Sequence, residues 1–215
     1  MKHILYGALA LTLSFLSVAQ AAGPERQVRR NALVSKQAPA ITVKVPRSAV
    51  YVGADRWDLY DICDAELHVF VEADRDKNVK ALYWIQFEQY LPSNTHTYNY
   101  GADEPVQFAG RDFWQRTEFA ATTKTPRAGS DGEHVRKLLE REGYTMPKDQ
   151  MNVRLVQVLD ETRRRELMFI YLEDLAPTGF TAAQLMDGKE IKPEWQSLKR
   201  DLVKRAMQRI RRKAT

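Results

Sequence analysis

Residues 65–90 read AELHVFVEADRDKNVKALYWIQFEQY, and a two-residue alternation runs through both halves of the stretch. Ala65, Leu67, Val69, Val71 and Ala73 share one face of the first arm, with Glu66, His68, Phe70 and Glu72 on the other. That is the period of a strand. In the second arm Val79, Ala81, Tyr83, Ile85 and Phe87 alternate with Lys80, Leu82, Trp84, Gln86, Glu88 and Tyr90. The polar link Asp74–Asn78 has hairpin length. Facing Ala73 with Val79 sets Val71 opposite Ala81, Val69 opposite Tyr83 and Leu67 opposite Ile85. On the reverse side it sets Glu72 opposite Lys80 and His68 opposite Trp84. This register gathers apolar pairs on one side and an opposite-charge pair on the other. The stretch predicts a long antiparallel hairpin and a core; it carries no activity.

A second hairpin is expected from Met151–Leu159 and Glu166–Glu173, joined by Glu161–Arg165. Both of its faces are apolar, so it belongs at the centre of a sheet covered on both sides. Shorter strands are expected at Ile41–Val45 (an edge strand stopped by Pro46), Ser48–Gly53, Thr95–Tyr100 and Asp112–Thr122. Ser130 with Glu133 forms a capping box that opens a helix ending at Gly143. Thr181 with Gln184 opens another, closed by Gly188. Pro193 starts a last helix, whose apolar stripe of Trp195, Leu198, Leu202, Val203, Ala206, Met207 and Ile210 has helical spacing. Hairpins with helices inserted and appended predict an α+β fold: a single domain, residues 41–215, with an antiparallel sheet and about three helices packed on it.

Before that domain, residues 1–21 read as a signal peptide. Lys2 and His3 precede an apolar run from Ile4 to Val18, followed by the small-x-small site Ala19-Gln20-Ala21. Residues 22–40 are polar, aperiodic and interrupted by Pro24 and Pro39, and are expected to be a flexible leader. The sole cysteine, Cys63, excludes an internal disulfide, and a disulfide-free exported domain points to a bacterial periplasm. Charge is unevenly spread. Residues 1–47 hold seven Lys/Arg against one Glu, residues 199–215 eight against one Asp, and residues 48–198 eighteen against twenty-six acids. Both ends are basic and the middle is acidic, so the net charge of +5 does not describe one cationic domain.

No nucleophile elbow, P-loop, dinucleotide fingerprint or His-Glu-x-x-His occurs, and no cofactor is indicated. The primary expectation is therefore a non-enzymatic exported protein that binds a small molecule or an envelope partner. Its ligand-binding candidates are His68, Trp84, Gln86, His96, Tyr98, Tyr100 and Trp114, which would line an aromatic pocket if they shared one sheet face. The alternative is a hydrolase using His68 or His96 as general base with a nearby carboxylate. For the cationic face of the last helix, Lys199, Arg200, Lys204, Arg205 and Arg209 continuing into Arg211 and Arg212, three readings stand. It is solvated, it docks on the acidic body of its own domain, or it meets an anionic membrane surface. Nucleic acid is not expected as a partner after export, and the sequence sets no oligomeric state. Asp74-x-Asp76-x-Asn78 matches the opening of a calcium loop, but Val79 and Ile85 occupy the places of its glycine and closing glutamate. Asp55, Asp58, Asp61 and Asp64, spaced by three, predict a helical turn. Cys63 between Asp61 and Asp64 reads as an inert thiol.

Overall fold

A computed structural model describes residues 23–123 and 125–214; the expected signal peptide lies outside the described residues. The strands are β1 (Gln27–Arg29), β2 (Ala32–Ser35), β3 (Ile41–Lys44), β4 (Val50–Leu59), β5 (Cys63–Ala73), β6 (Val79–Tyr90), β7 (Glu104–Phe108) and β8 (Arg111–Ala121). Helix α1 (Asp131–Arg141) precedes β9 (Asp149–Val158), β10 (Arg165–Asp174), β11 (Met186–Asp187) and β12 (Glu190–Ile191). Helix α2 (Glu194–Arg209) and β13 (Arg211–Ala214) complete the order. With 47% strand against 17% helix, this is a β-rich fold of three antiparallel sheets and two helices, not the α+β fold with three helices that the sequence pattern predicts. The helix expected after Thr181 shrinks to a 3₁₀ turn, Ala183–Leu185. Gly188, with φ of 60°, turns the small β11–β12 hairpin instead of ending a helix.

The main sheet has the order β4-β5-β6-β10-β9-β8-β7. Two meanders, β4–β6 and β7–β10, meet where β6 pairs with β10. The apolar-on-both-sides strand β10 takes the central place, as its composition requires. The hairpin at 65–90 forms, but its register slips. Ala73 pairs with Val79, Lys80 is left out as a bulge, and Glu72 then pairs with Ala81. From there Val71 meets Leu82, Val69 meets Trp84 and His68 meets Ile85. One extra residue exchanges every facing pair beyond it. Leu67, Val69 and Val71 therefore share a face with Leu82, Trp84 and Gln86 (face A), while His68 and Phe70 share the opposite face with Tyr83 and Ile85 (face B).

Helix α1 covers part of face A, packing Val135, Leu138 and Leu139 on Val52, Leu67, Val69 and Leu82. Its N-cap Ser130 accepts from the Glu133 amide as expected, while the Glu133 carboxylate reaches back one residue further, to the Gly129 amide at 2.8 Å. Face B is closed by α2 and by the second sheet, β1-β2-β3-β13. Here the expected leader is corrected: residues 27–29 and 32–35 are strands, and Leu33 is fully buried against the core. Strand β3 is not an edge, since it lies between β2 and β13. Helix α2 buries the predicted stripe, with Trp195, Leu202 and Ala206 innermost, and Ile210 is buried just past its end. It stops at Arg209, and the chain goes on as β13 beside β3.

Two other expectations fail. The aspartates 55–64 lie on β4, a tight turn and β5, with Asp58 opposite Asp64. Positive φ at both Tyr60 and Asp61 makes the turn of a hairpin, not of a helix. Residues 95–100 form no strand but cross over face A, and a strand, β7, follows at Glu104–Phe108.

Candidate functional site

Face A gathers Trp84, Gln86, Tyr98, Tyr100 and Trp114. Trp84 and Gln86 project from β6. Trp114 projects from β8, three strands away across Met168 and Val156, or about 14 Å at ordinary strand spacing. Tyr98 and Tyr100 are laid on the sheet by the crossing segment. Arg163 holds that segment through its side chain, which donates to the Tyr98 carbonyl at 2.8 Å, and through its own carbonyl, which accepts from the Tyr98 amide at 2.8 Å. Trp84, Gln86, Tyr98 and Tyr100 join one network of contacts through Glu88 and Glu166. The Trp84 indole donates to Gln86 Oε1 at 2.6 Å, Gln86 donates to Glu88, and the Tyr98 hydroxyl lies 3.2 Å from Glu88 and 3.5 Å from Cys63 Sγ. Tyr100 donates to Glu166.

Glu88 and Glu166 were not among the sequence candidates, and they are the centre of this network. They are direct cross-strand partners on β6 and β10, both buried, Glu166 to 2% exposure. Burial raises both carboxyls well above the usual range. The charge of Asp131 adds to the effect at Glu88, and the charge of Glu88 adds to it at Glu166. Two adjacent acids in a dry site cannot both ionise cheaply, so the pair keeps at least one proton at neutral pH. Burial likewise pushes the Cys63 thiol up to about 11, which leaves it a poor nucleophile. Beyond the pair, buried Asp103 accepts from Arg116 at 2.8 Å and Arg154 at 3.0 Å.

His68 lies on the other face, 1% exposed. Its Nε2 is 2.8 Å from Glu66 and its Nδ1 is 3.2 Å from the Tyr51 hydroxyl. The Glu66 carboxylate also accepts from the Glu25 and Arg26 amides at 2.8 and 2.9 Å and from the Arg26 guanidinium at 2.9 Å. Desolvation opposes ionisation there, yet these hydrogen bonds outweigh it and hold the carboxyl at about 2. Tyr51 is raised to about 12, chiefly by burial, so it does not supply a phenolate near neutral pH. The cluster ties the N-terminal segment to the main sheet. His96 is exposed and sits beside the Tyr90 ring, 5.9 Å between centroids. His134, unassigned by sequence, stacks on Trp57 at 4.0 Å and meets Asp55 at 2.6 Å.

A cavity of about 540 Å³ opens in front of Glu66, between Glu25–Arg26 and Gln37–Ala38 on one side and the ends of β5 and β6 on the other. Its wall carries charges of both signs. Arg26 lies 4.0 Å over the Phe87 ring while paired to Glu66; Arg56 forks onto Asp64 at 2.9 and 2.7 Å and reaches Glu25 at 2.6 Å. Among the described residues Arg165 is held only by Asp160, at 3.4 Å, and it keeps nearly half its side chain exposed. Phe87, Tyr90, Leu91 and Pro92 give the apolar side.

The cationic set on the last helix divides. Arg205 forks onto Glu173 at 2.8 and 2.7 Å, Arg209 pairs with Glu72 at 2.9 Å and Tyr83 at 3.0 Å, and Lys199 reaches Glu104 at 3.5 Å. Arg200 and Lys204 face solvent, and Arg211 and Arg212 belong to β13. Asp74 caps its own hairpin loop, accepting from the Asp76 and Asn78 amides at 3.0 and 2.9 Å. Among the described residues no three His, Cys, Asp or Glu side chains are grouped to hold a metal ion. No family model, curated protein or solved structure matches this chain.

Proposed function

We propose that this chain is a non-enzymatic binding protein that acts after export, and that its ligand site is the cavity between the Glu25–Arg26 segment and the β5–β6 ends. The observation that carries the reading is a ligand-sized cavity whose charged groups are fixed in advance. Arg26 and Arg56 are clamped by carboxylates, and an apolar wall faces them. The guanidiniums of Arg26, Arg56 and Arg165 share the wall with the carboxyl groups of Glu25, Asp64 and Glu66. The fitting ligand is therefore a small zwitterion with an apolar part, such as an amino acid or a short peptide. Arg165, the least engaged guanidinium, is the group free to turn onto the ligand's carboxylate. His68 stands behind Glu66, with both ring nitrogens engaged and no exposed edge, which favours binding over hydrolysis here.

Thermal shift of the mature protein with amino acids, dipeptides, dicarboxylates and neutral sugars tests the reading. A ligand at about one hundred times its Kd adds roughly 2.7 kcal/mol. The expected result is a shift with zwitterions that Arg165→Ala abolishes. No shift with any class, together with turnover of a model ester or glycan that His68→Ala or His96→Ala removes, would transfer the protein to the hydrolases.

A further inference from the structure

The two basic ends of the chain meet in one sheet, and the register sorts their side chains. In β1-β2-β3-β13, Leu33 pairs with Val43 and Val28 with Leu33, and these point into the core. The alternate positions point outward. Arg29 pairs with Ala32, Ala32 with Lys44 and Lys44 with Arg211, so these residues form one row across the sheet. In the next row lie Val34, Thr42 and Lys213. Arg29, Lys44, Arg211 and Lys213 are all exposed, and none of their side chains makes an ion pair or hydrogen bond among the described residues. Arg30, also exposed, extends the row at the β1–β2 turn. The register puts no acidic residue on this face. On α2, by contrast, Arg205 and Arg209 are spent on the protein's own glutamates, and only Arg200 and Lys204 stay exposed and unpaired among the described residues.

We propose that this outer face is a docking surface for an anionic phospholipid bilayer. Strands about 4.8 Å apart hold the four cations in one plane, and the short side chains Ala32, Val34 and Thr42 between them leave it flat. A flat cationic face suits a surface of headgroups. It offers no aromatic platform for stacked bases and no helix for a groove, which sets nucleic acid aside. Residues 48–198, carrying eighteen basic groups against twenty-six acids, are repelled by the same surface. The molecule is therefore electrically polar and is oriented with this sheet down. Each Lys or Arg near such a surface contributes about 1 kcal/mol, or roughly fivefold in partitioning.

The test is co-sedimentation of the mature full chain with vesicles of phosphatidylcholine alone or with about one-third phosphatidylglycerol. Binding is expected only to the anionic vesicles, and it should be lost at about 1 M salt, where the Debye length is about 3 Å. The quadruple variant Arg29→Gln, Lys44→Gln, Arg211→Gln, Lys213→Gln is expected to lower partitioning on the order of hundreds-fold. Arg200→Gln with Lys204→Gln, on the exposed side of α2, should change it far less. Should the quadruple variant fail to fold, Arg29→Gln and Lys213→Gln singly are each expected to lower partitioning about fivefold. No preference for anionic vesicles, equal loss in the α2 control, or tighter binding to duplex DNA than to the vesicles would each overturn the proposal.

Discussion

Replacing Glu166 by glutamine is expected to stabilise the protein at pH 8 and to flatten its dependence on pH. Glu88 and Glu166 titrate as a pair, and burial together with acidic neighbours raises both carboxyls well above the usual range. The groups around them are Gln86, Tyr98, Tyr100, Asp131 and Arg154. Among these Asp131 is raised as well, in the same sense. The folded state then keeps protons that the unfolded chain releases above its ordinary carboxyl pKa of about 4.3. Where the folded state binds more protons, stability falls as pH rises, by about 1.4 kcal/mol per pH unit for each proton held. The loss begins above about pH 4.3 and continues until the folded pair has itself released its protons, above neutral pH. For Glu166 alone, pH 6 to pH 8 costs up to about 3 kcal/mol, or roughly 6–12 °C of Tm in a domain of this size. The glutamine side chain is neutral throughout and can still accept from the Tyr100 hydroxyl. The variant Glu166→Gln should therefore melt within a few degrees of the parent near pH 5 and well above it at pH 8. Differential scanning calorimetry at pH 5, 6, 7 and 8 makes the measurement. A variant that melts below the parent at pH 8, or keeps the parent's full pH slope, would refute the protonated pair.

Glu66 is the counter-case. Held at about 2 by four donors, its stabilisation is present above the ordinary carboxyl pKa and is lost as pH falls toward 2, so Glu66→Gln should destabilise at pH 7 and converge with the parent in acid melts. Leu33→Ala should cost about 2–5 kcal/mol in urea unfolding, because a fully buried side chain leaves a cavity; a cost near zero would mean that residues 27–35 do not belong to the core. Ser130→Ala removes the cap of α1 and should cost about 1 kcal/mol, with Ser130→Gly costing less. Gly53→Val should lift α1 from β4, since a Cβ there already meets Leu138 Cδ2 at 3.2 Å and the Arg141 guanidinium at 3.0 Å. Faster amide exchange in residues 131–141 would report it.

The parts of the fold that were legible in the sequence are those whose signals are local. Both long hairpins, the cap at Ser130 and the apolar stripe of α2 each depend on residues within a few positions of one another. The register was not, because a bulge at Lys80 adds a residue without disturbing alternation on either side. Both faces of β6 are apolar enough that two registers look equally good. Strands β1, β2 and β13 are three or four residues long, and their pairing joins residues far apart in the chain, so nothing near Leu33 or Arg211 announces it. The threefold aspartate spacing misled because a turn with positive φ at Tyr60 and Asp61 resets the phase between two strands. Trp84, Gln86, Tyr98 and Tyr100 were legible as a group. Glu88 and Glu166 were not, since a glutamate at a strand end ordinarily reads as exposed. The one available signal was that Glu166 opens a run apolar on both faces, which places it on a central strand.

Where the structure leaves room for a partner follows from what it covers. Face B is closed by α2 and the second sheet. On face A, α1 and residues 91–103 cover much of the sheet, and the aromatic and acidic side chains beneath that segment are spent on each other. The cavity in front of Glu66 and the cationic sheet face both lie at the periphery, and the N-terminal segment helps to build each of them. Glu25–Arg26 and Gln37–Ala38 roof the cavity, while Arg29 and Lys44 supply two of the four cations on the outer sheet face. Glu66 fastens that segment to the main sheet at its start, and β13 fastens it at β3. A single break in this fastening therefore acts on both surfaces. Glu66→Gln at neutral pH should loosen the roof of the cavity and the alignment of the cationic row together, whereas Arg165→Ala should affect only the cavity.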